Sequence, residues 1–310
     1  MRSIIETSVI IPAYNAELYI QTAIESVLDE LPAKTEVIVI NDGSTDGTGG
    51  ILEALAAKYP ALKVYHRENR GMVQTMAELV TLAKGEFLIR MDADDVCHPG
   101  RIAKQIEFLQ SHHEWVLVGG QVLFIDMDGR PICRTNLPLE HHDIVDGLYL
   151  EGGVEPVPLI HPAVAMRKSA VLRVGNYRPA YPACEDRDLW LRLSEIGKVG
   201  NLDEVVLSYR LHFESFSHKY SKQQSHFRQK AIQEARNRTG RDVPSDWRDP
   251  MPEQSLSIES IRMRWAKSAA NCRNYKTATC HLSRILFARP FHWSTWKATL
   301  RICSQLLKHK

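Results

Sequence analysis

Four short apolar runs, each breaking off into a polar loop and each separated from the next by a helix-sized stretch, constrain this chain most. Ser8-Val9-Ile10-Ile11 exits into Pro12-Ala13-Tyr14-Asn15, and Glu36-Val37-Ile38-Val39-Ile40 ends at Asn41-Asp42-Gly43-Ser44-Thr45-Asp46. Leu62-Lys63-Val64-Tyr65 is the third run, and Phe87-Leu88-Ile89-Arg90-Met91 leads into Asp92-Ala93-Asp94-Asp95. Runs of this length bounded by turn residues predict buried strands. Between them, residues 16–30 carry Leu18, Ile20, Ala23, Ile24, Val27 and Leu28 mostly at helical spacing. Residues 48–59 place Ile51, Leu52, Leu55 and Ala56 inward, and residues 72–83 form another helix. Such alternation predicts an α/β fold with a doubly wound, mostly parallel sheet flanked by helices. Ligands of these sheets lie beyond the carboxyl ends of the strands, so the loops at Asn15, Asp42, Asn69 and Asp92 should converge on one rim.

The pattern changes after Asp95. Residues 101–110 read as helix, residues 116–125 as further strand, and residues 126–160 are rich in turn formers. Residues 185–195 form a helix with Leu189, Trp190, Leu193 and Ile196 at core spacing. From about residue 221 the chain reads as helical and basic, with a proline-containing joint at 243–252. Charge marks the same boundary: residues 1–220 hold 21 Lys and Arg against 31 Asp and Glu, whereas residues 221–310 hold 18 against 6. Two regions are therefore expected, 1–220 with the α/β body and 221–310 as a basic helical extension. The six cysteines lie far apart with no Cys-x-x-Cys pair, which predicts reduced thiols and a cytoplasmic setting. No leader-like stretch opens the sequence, and no apolar run approaches the length of a membrane span.

Asp92, Asp94 and Asp95 crowd like charges where a strand stops. Such crowding costs folding energy unless a positive group binds there. Hard divalent cations such as Mg²⁺ or Mn²⁺ favour oxygen ligands, commonly one or two carboxylates together with substrate phosphates. A solvated acidic turn is the structural alternative. At the other end of the rim, Tyr14 can stack on a base or pack as core, and Asp42 can accept a base N–H or cap the following helix. Arg70, beside Gly71, can reach a phosphate or simply point to solvent.

The ordered set Val9-Ile10-Ile11-Pro12-Ala13-Tyr14-Asn15, Asn41-Asp42-Gly43-Ser44-Thr45-Asp46, Asn69-Arg70-Gly71, Asp92-Ala93-Asp94-Asp95 and Glu185-Asp186-Arg187-Asp188-Leu189-Trp190 resembles family 2 inverting glycosyltransferases of the GT-A fold. The likeness runs over roughly residues 8–215. It implies that Pro12, Ala13, Tyr14, Asn15 and Asp42 hold the nucleotide, with Arg70 toward the phosphates. Asp94 would bind the divalent cation, Asp92 would contact the ribose or the metal through water, and His212 matches a third metal ligand of some relatives. Asp186 would be the general base, Glu185 would orient acceptor or sugar, and His161 would line the acceptor pocket. Asp95, Asp188 and Trp190 read instead as structural.

The implied activity is transfer of one sugar from a nucleoside-diphosphate donor, a UDP-sugar by preference, to a hydroxyl of a glycan or lipid-linked acceptor in surface-polysaccharide synthesis. The absence of a Gln-x-x-Arg-Trp motif argues against a processive synthase. Two rival classes are a nucleotide-sugar-binding protein without transfer activity and a nucleotidyltransferase. Near the C-terminus Trp293, Trp296, Leu300, Cys303 and Leu307 form an apolar stripe, with Lys297, Arg301 and Lys308 off it and Phe287 and Phe291 nearby. That stripe suits either an anionic membrane surface at the inner face of the plasma membrane or packing on the body. No nucleic-acid recognition motif accompanies the charge.

Overall fold

The computed structural model describes residues 4–150, 158–213, 221–241, 257–288, 296–297 and 299–300. Chain packing divides into two units: residues 1–122, 136–208 and 220–252, and residues 123–135, 209–219 and 253–310.

In the first unit the four expected runs are strands β1 (Thr7–Ala13), β2 (Thr35–Asp42), β3 (Leu62–Arg67) and β4 (Phe87–Arg90). They lie in the order β3-β2-β1-β4 and are parallel throughout. Every residue of β1, β2 and β4 is buried, the mark of strands covered on both faces. The crossovers are helices α1 (Ile20–Leu28), α2 (Thr48–Lys58) and α3 (Met72–Leu82). Helix α1 starts later than its apolar pattern, and Leu18, 77% exposed, lies before it instead of in the core.

Beyond β4 the sheet continues through β5 (Val96–Cys97), β6 (Trp115–Ile125), β8 (Ala165–Arg167) and β9 (Lys198–Arg210), in the path β4-β8-β6-β9-β5. Here β8 is antiparallel to both β4 and β6, and β5 is antiparallel to β9. The turn-rich stretch is more ordered than its composition predicts, containing β7 (Pro131–Arg134) and α5 (His141–Tyr149). Helices α4 (Arg101–Ser111), α6 (Lys168–Arg173), α7 (Glu185–Ser194) and α8 (Ser221–Thr239) complete this unit. Ile10, Ile38, Ile40, Met76, Leu88 and Trp190 sit in its main core.

Residue 220 is therefore not the boundary between units. Helix α8 packs with the α/β body: Arg238 pairs with Glu195 at 2.6 Å, and Arg178 pairs with Glu234 at 3.0 Å. Residues 123–135 and 209–213 join the later helices α9 (Ile258–Asn271) and α10 (Tyr275–Ala288). The core of this second unit gathers Ile132, Ile261, Trp265, Ala266, Ala269 and Leu282, with Phe213 stacked on Trp265. Apolar burial, not charge, decides which segments group together. The expectation of unpaired thiols is corrected here as well. Cys133 on β7 and Cys272 after α9 form a disulfide across 139 positions, a proximity that no local spacing reveals.

No helix among the described residues is long and apolar enough to cross a membrane. Of the C-terminal stripe, Trp296 and Leu300 are exposed, as is Phe287 at the end of α10. Trp293, Cys303, Leu307, Arg301, Lys308 and Phe291 lie outside the described residues, as does the proline joint.

Candidate active site

Parallel pairing aligns the strand ends: Ala13 lies opposite Asn41, and Asp42 opposite Arg67. The loops that leave them are laced together. Asn15 adopts a left-handed backbone, φ 47°, and its side-chain carbonyl accepts from the Thr45 N–H at 2.8 Å. Its own N–H donates to Ser44 Oγ at 3.0 Å. Pro12 and Ala13 are buried beneath this junction, whereas Tyr14 is 53% exposed, which excludes the core reading for its ring.

Asp42 is buried, and it braces the neighbouring loop instead of capping α2. Its two carboxylate oxygens accept the Arg70 and Gly71 N–H groups, each at 2.9 Å, and Arg67 Nη2 lies 3.1 Å away. The Arg70 side chain is exposed. The local bond at the start of α2 comes from Asp46, which accepts from the Thr48 N–H at 3.0 Å. Gly43, φ 75°, permits the close approach of the two loops, because a Cβ there would stand 2.5 Å from the Asn69 nitrogen.

The acidic end lies on the same sheet. Asp92, Asp94 and Asp95 present oxygens that all fall within 4.8 Å of one another. Asp95, read from the sequence as structural, thus joins the cluster, although it is only 2% exposed. Burial pushes the Asp92 carboxyl up, and repulsion from Asp94 and Asp186 adds to it, while Arg90 opposes. Arg90 is 2% exposed and pairs with Asp92 at 2.7 Å, which keeps its guanidinium charged despite burial. Arg101, also buried, fixes the backbone beneath by donating to the carbonyls of Arg90 and Pro162.

Glu185 and Asp186 open α7, next to Ala183 in a left-handed conformation, φ 64°. Asp186 is half-buried and accepts from the Arg187 N–H at 2.6 Å. Glu185 is 7% exposed, and its Oε2 has no hydrogen-bond partner. Burial, reinforced by the charges of Asp186 and Asp92, raises its carboxyl to about 7. The mutual effects of Asp92, Glu185 and Asp186 place α7's start and the acidic strand end within one electrostatic cluster.

His161 sits in a short turn, bonded through Nε2 to the Tyr177 hydroxyl at 2.8 Å and edge-on to Trp190. Burial, then the Arg90 charge, holds its imidazole well below the usual value, so the ring is neutral. Trp190 is wholly buried, as core packing requires. Asp188 is neither cap nor ligand: it is a buried carboxylate clamped between Arg178 and Arg192. His212 follows β9 in the second unit and is half-buried. Arg90 and Tyr177 were not picked out from the sequence as site residues. An arginine inside an otherwise apolar strand, one residue from an acidic motif, was the available signal.

The parallel half-sheet, its laced loops and the acidic rim define an α/β protein with polar and acidic groups at its strand ends. The glycosyl transferase family 2 model matches residues 8–171, and the chain belongs to that family. It is a glycosyltransferase. The amylovoran biosynthesis glycosyltransferase AmsE of Erwinia amylovora is 30% identical over 210 residues, covering 66% of this chain and 75% of the relative. Among solved structures, the mannosyltransferase PcManGT of Pyrobaculum calidifontis, in complex with GDP-Man and Mn²⁺, superposes with TM-score 0.57 at 16% identity, covering 97% of this chain and 79% of that one. TarS 1-349 of S. aureus in complex with UDP-GlcNAc gives 0.55 at 18% identity, covering 87% and 81%. The GT-A fold implied by the motifs is the fold observed.

Proposed function

We propose that this protein is a cation-dependent, inverting glycosyltransferase that moves a sugar from a nucleoside diphosphate, UDP by preference, to a hydroxyl of a glycan or lipid-linked glycan acceptor. The observation that carries the reading is the electrostatic union of the Asp92-Asp94-Asp95 cluster with Glu185 and Asp186. The residues fit a hard divalent ion: every oxygen of the cluster is a carboxylate oxygen, all within 4.8 Å of one another, and the Asp92 carboxyl, raised chiefly by burial with repulsion from Asp94 added, is one that a cation would relieve. Asp94, with Asp92 and Asp95 beside it, would hold Mn²⁺ or Mg²⁺; His212 is retained as a candidate further ligand. Bound there, the ion supplies Lewis-acid stabilisation of the departing diphosphate.

The protein's own groups divide the remaining work. Tyr14 offers an exposed ring to the base, and Pro12, Ala13 and Asn15 shape the floor beneath it. Asp42, through its remaining lone pairs, takes the base N–H while holding the loop that carries Arg70 toward the phosphates. Asp186 accepts the proton of the acceptor hydroxyl as that oxygen attacks the anomeric carbon opposite the leaving group. Glu185 orients sugar or acceptor, and neutral His161 lines the acceptor side with Tyr177.

The named role of AmsE in amylovoran biosynthesis supports a polysaccharide setting, and the UDP-GlcNAc and GDP-Man complexes of the structural neighbours support a sugar-nucleotide donor. We place the enzyme in the cytoplasm, with its basic C-terminal region, bearing exposed Phe287, Trp296 and Leu300, toward the anionic inner face of the membrane. Incubation with UDP-, dTDP- and GDP-sugars and Mn²⁺ tests the reading. Release of a nucleoside diphosphate and a product of inverted anomeric configuration by NMR is expected; release of pyrophosphate would assign a nucleotidyltransferase instead, and binding without turnover a sugar-nucleotide receptor.

A further inference from the structure

The laced loops after β1 and β2 are tied to a side chain outside the motif set. His66 on β3 lies directly across from Asn41 on β2, and its Nδ1 is 3.0 Å from Asn41 Nδ2. Its Nε2 is 2.6 Å from Oε1 of Glu53 on α2. One backbone group fixes every proton along this line. The Ser44 N–H can only donate, and it donates to Asn41 Oδ1 at 3.2 Å, so the Asn41 amide turns its NH₂ toward His66. Nδ1 is therefore the acceptor, the ring proton sits on Nε2, and Glu53 receives it. Beyond Ser44 the line continues: its Oγ accepts the Asn15 N–H at 3.0 Å, and Asn15 Oδ1 accepts the Thr45 N–H at 2.8 Å. Gly49, in the first turn of α2, leaves room for the pair, because a Cβ there would stand 3.2 Å from Asn41 Nδ2 and 3.7 Å from His66 Cε1.

We propose that His66, oriented by Glu53, is a positioning residue for the nucleotide end of the site: through Asn41 it fixes the 41–45 loop, and with it the left-handed turn at Asn15 that presents Tyr14. Asn41 is 6% exposed, so without His66 its NH₂ has no solvent to turn to, and a buried donor left unpartnered is costly. Rotating the amide outward relieves that cost but releases the Ser44 N–H and the loop above it. The His66 and Glu53 side chains are 40% and 65% exposed, so the ring acts through its hydrogen bonds more than as core. The inference rests on the reading of Tyr14, Asn15 and Asp42 as nucleotide contacts, and it adds His66, which touches no ligand itself, as the group that holds them in place.

Calorimetry on the full chain with Mn²⁺ and UDP, dTDP and GDP tests it, together with nitrogen NMR of the His66 ring. His66→Leu should bind the preferred diphosphate about 3- to 10-fold more weakly than wild type. His66→Asn, whose side-chain oxygen can stand in for Nδ1, should restore most of that affinity, with circular dichroism showing both variants folded. The wild-type ring should carry its proton on Nε2. In Asn41→Asp, where carboxylates face both ring nitrogens, the same ring should carry a proton on each. Unchanged affinity in folded His66→Leu, or a loss in His66→Asn as large as in His66→Leu, would overturn the positioning role. So would a wild-type ring protonated on Nδ1, or a ring unaltered by Asn41→Asp, and these two readings need no variant of His66 to fold. Failure of all three diphosphates to bind wild type would overturn the nucleotide reading itself, and the positioning role with it.

Discussion

Replacing one oxygen of Asp186 with an amide nitrogen removes the proposed proton acceptor and keeps every carboxylate of the Asp92-Asp94-Asp95 cluster. Asp186→Asn should lower kcat by about 10²–10⁴-fold with donor affinity unchanged, read by steady-state kinetics beside calorimetry. Full transfer by this variant would refute the base assignment. Glu185 makes a second prediction, about pH. Its carboxyl is raised from 4.5 to about 7. The stability owed to its protonated form is thus complete below about 4.5 and is lost as pH rises through about 7. Glu185→Gln should therefore gain stability over wild type at pH 8 relative to pH 5, by on the order of 3 kcal/mol, measured by denaturant melts in chelator. At this scale the sequence reveals residue types better than partners. Tyr14 is exposed after β1 and Asp186 lies in the first turn of α7, but Asp42's hold on the Arg70 and Gly71 backbone depends on a loop 28 positions away. Asp95's place in the cluster depends on how the chain turns after β4.

Among the elements, α7 is anchored through Asp188, buried between Arg178 and Arg192, with Arg192 also donating to the carbonyls of Val174 and Asn176. Asp188→Ala strands two guanidinium groups near the start of α7. It should cost roughly 3–5 kcal/mol in a thermal or denaturant melt and loosen the 175–184 loop to proteolysis; a shift within error would show the network to be dispensable. In the second unit, burial pushes the Asp126 carboxyl up, but hydrogen bonds from His281 and Arg130 outweigh it and hold it at about 2. The native pair thus contributes stability above the ordinary 3.8 that disappears as pH falls toward about 2. Asp126→Asn should flatten this acid limb by about 2 kcal/mol, followed by fluorescence of Trp265, which lies edge-on to His281. The four parallel strands were legible because local apolar runs and turn residues specify them. The antiparallel half was not, since β8 is three residues long and its place between β4 and β6 comes from distant pairing.

On the scale of the whole molecule, charge and packing divide the chain differently. The acid-rich and base-rich regions meet near residue 220 in sequence, yet α8 belongs to the α/β unit while residues 123–135 and 209–213 belong with α9 and α10. Composition records what each stretch meets at its surface, whereas unit membership follows from which apolar faces can be buried together, and Ile132 reaching Trp265 is not a local property. The Cys133–Cys272 bond was hidden for the same reason.

The claim on which the account turns is that the acidic end of β4 grips a divalent ion only to hold a nucleotide diphosphate. Manganese titration followed by electron paramagnetic resonance, with and without UDP, reads this directly. Wild type should bind one ion far more tightly once UDP is present, and Asp94→Ala should lose most of that affinity while keeping its fold. Equal Mn²⁺ binding by Asp94→Ala and wild type in the presence of UDP would contradict it.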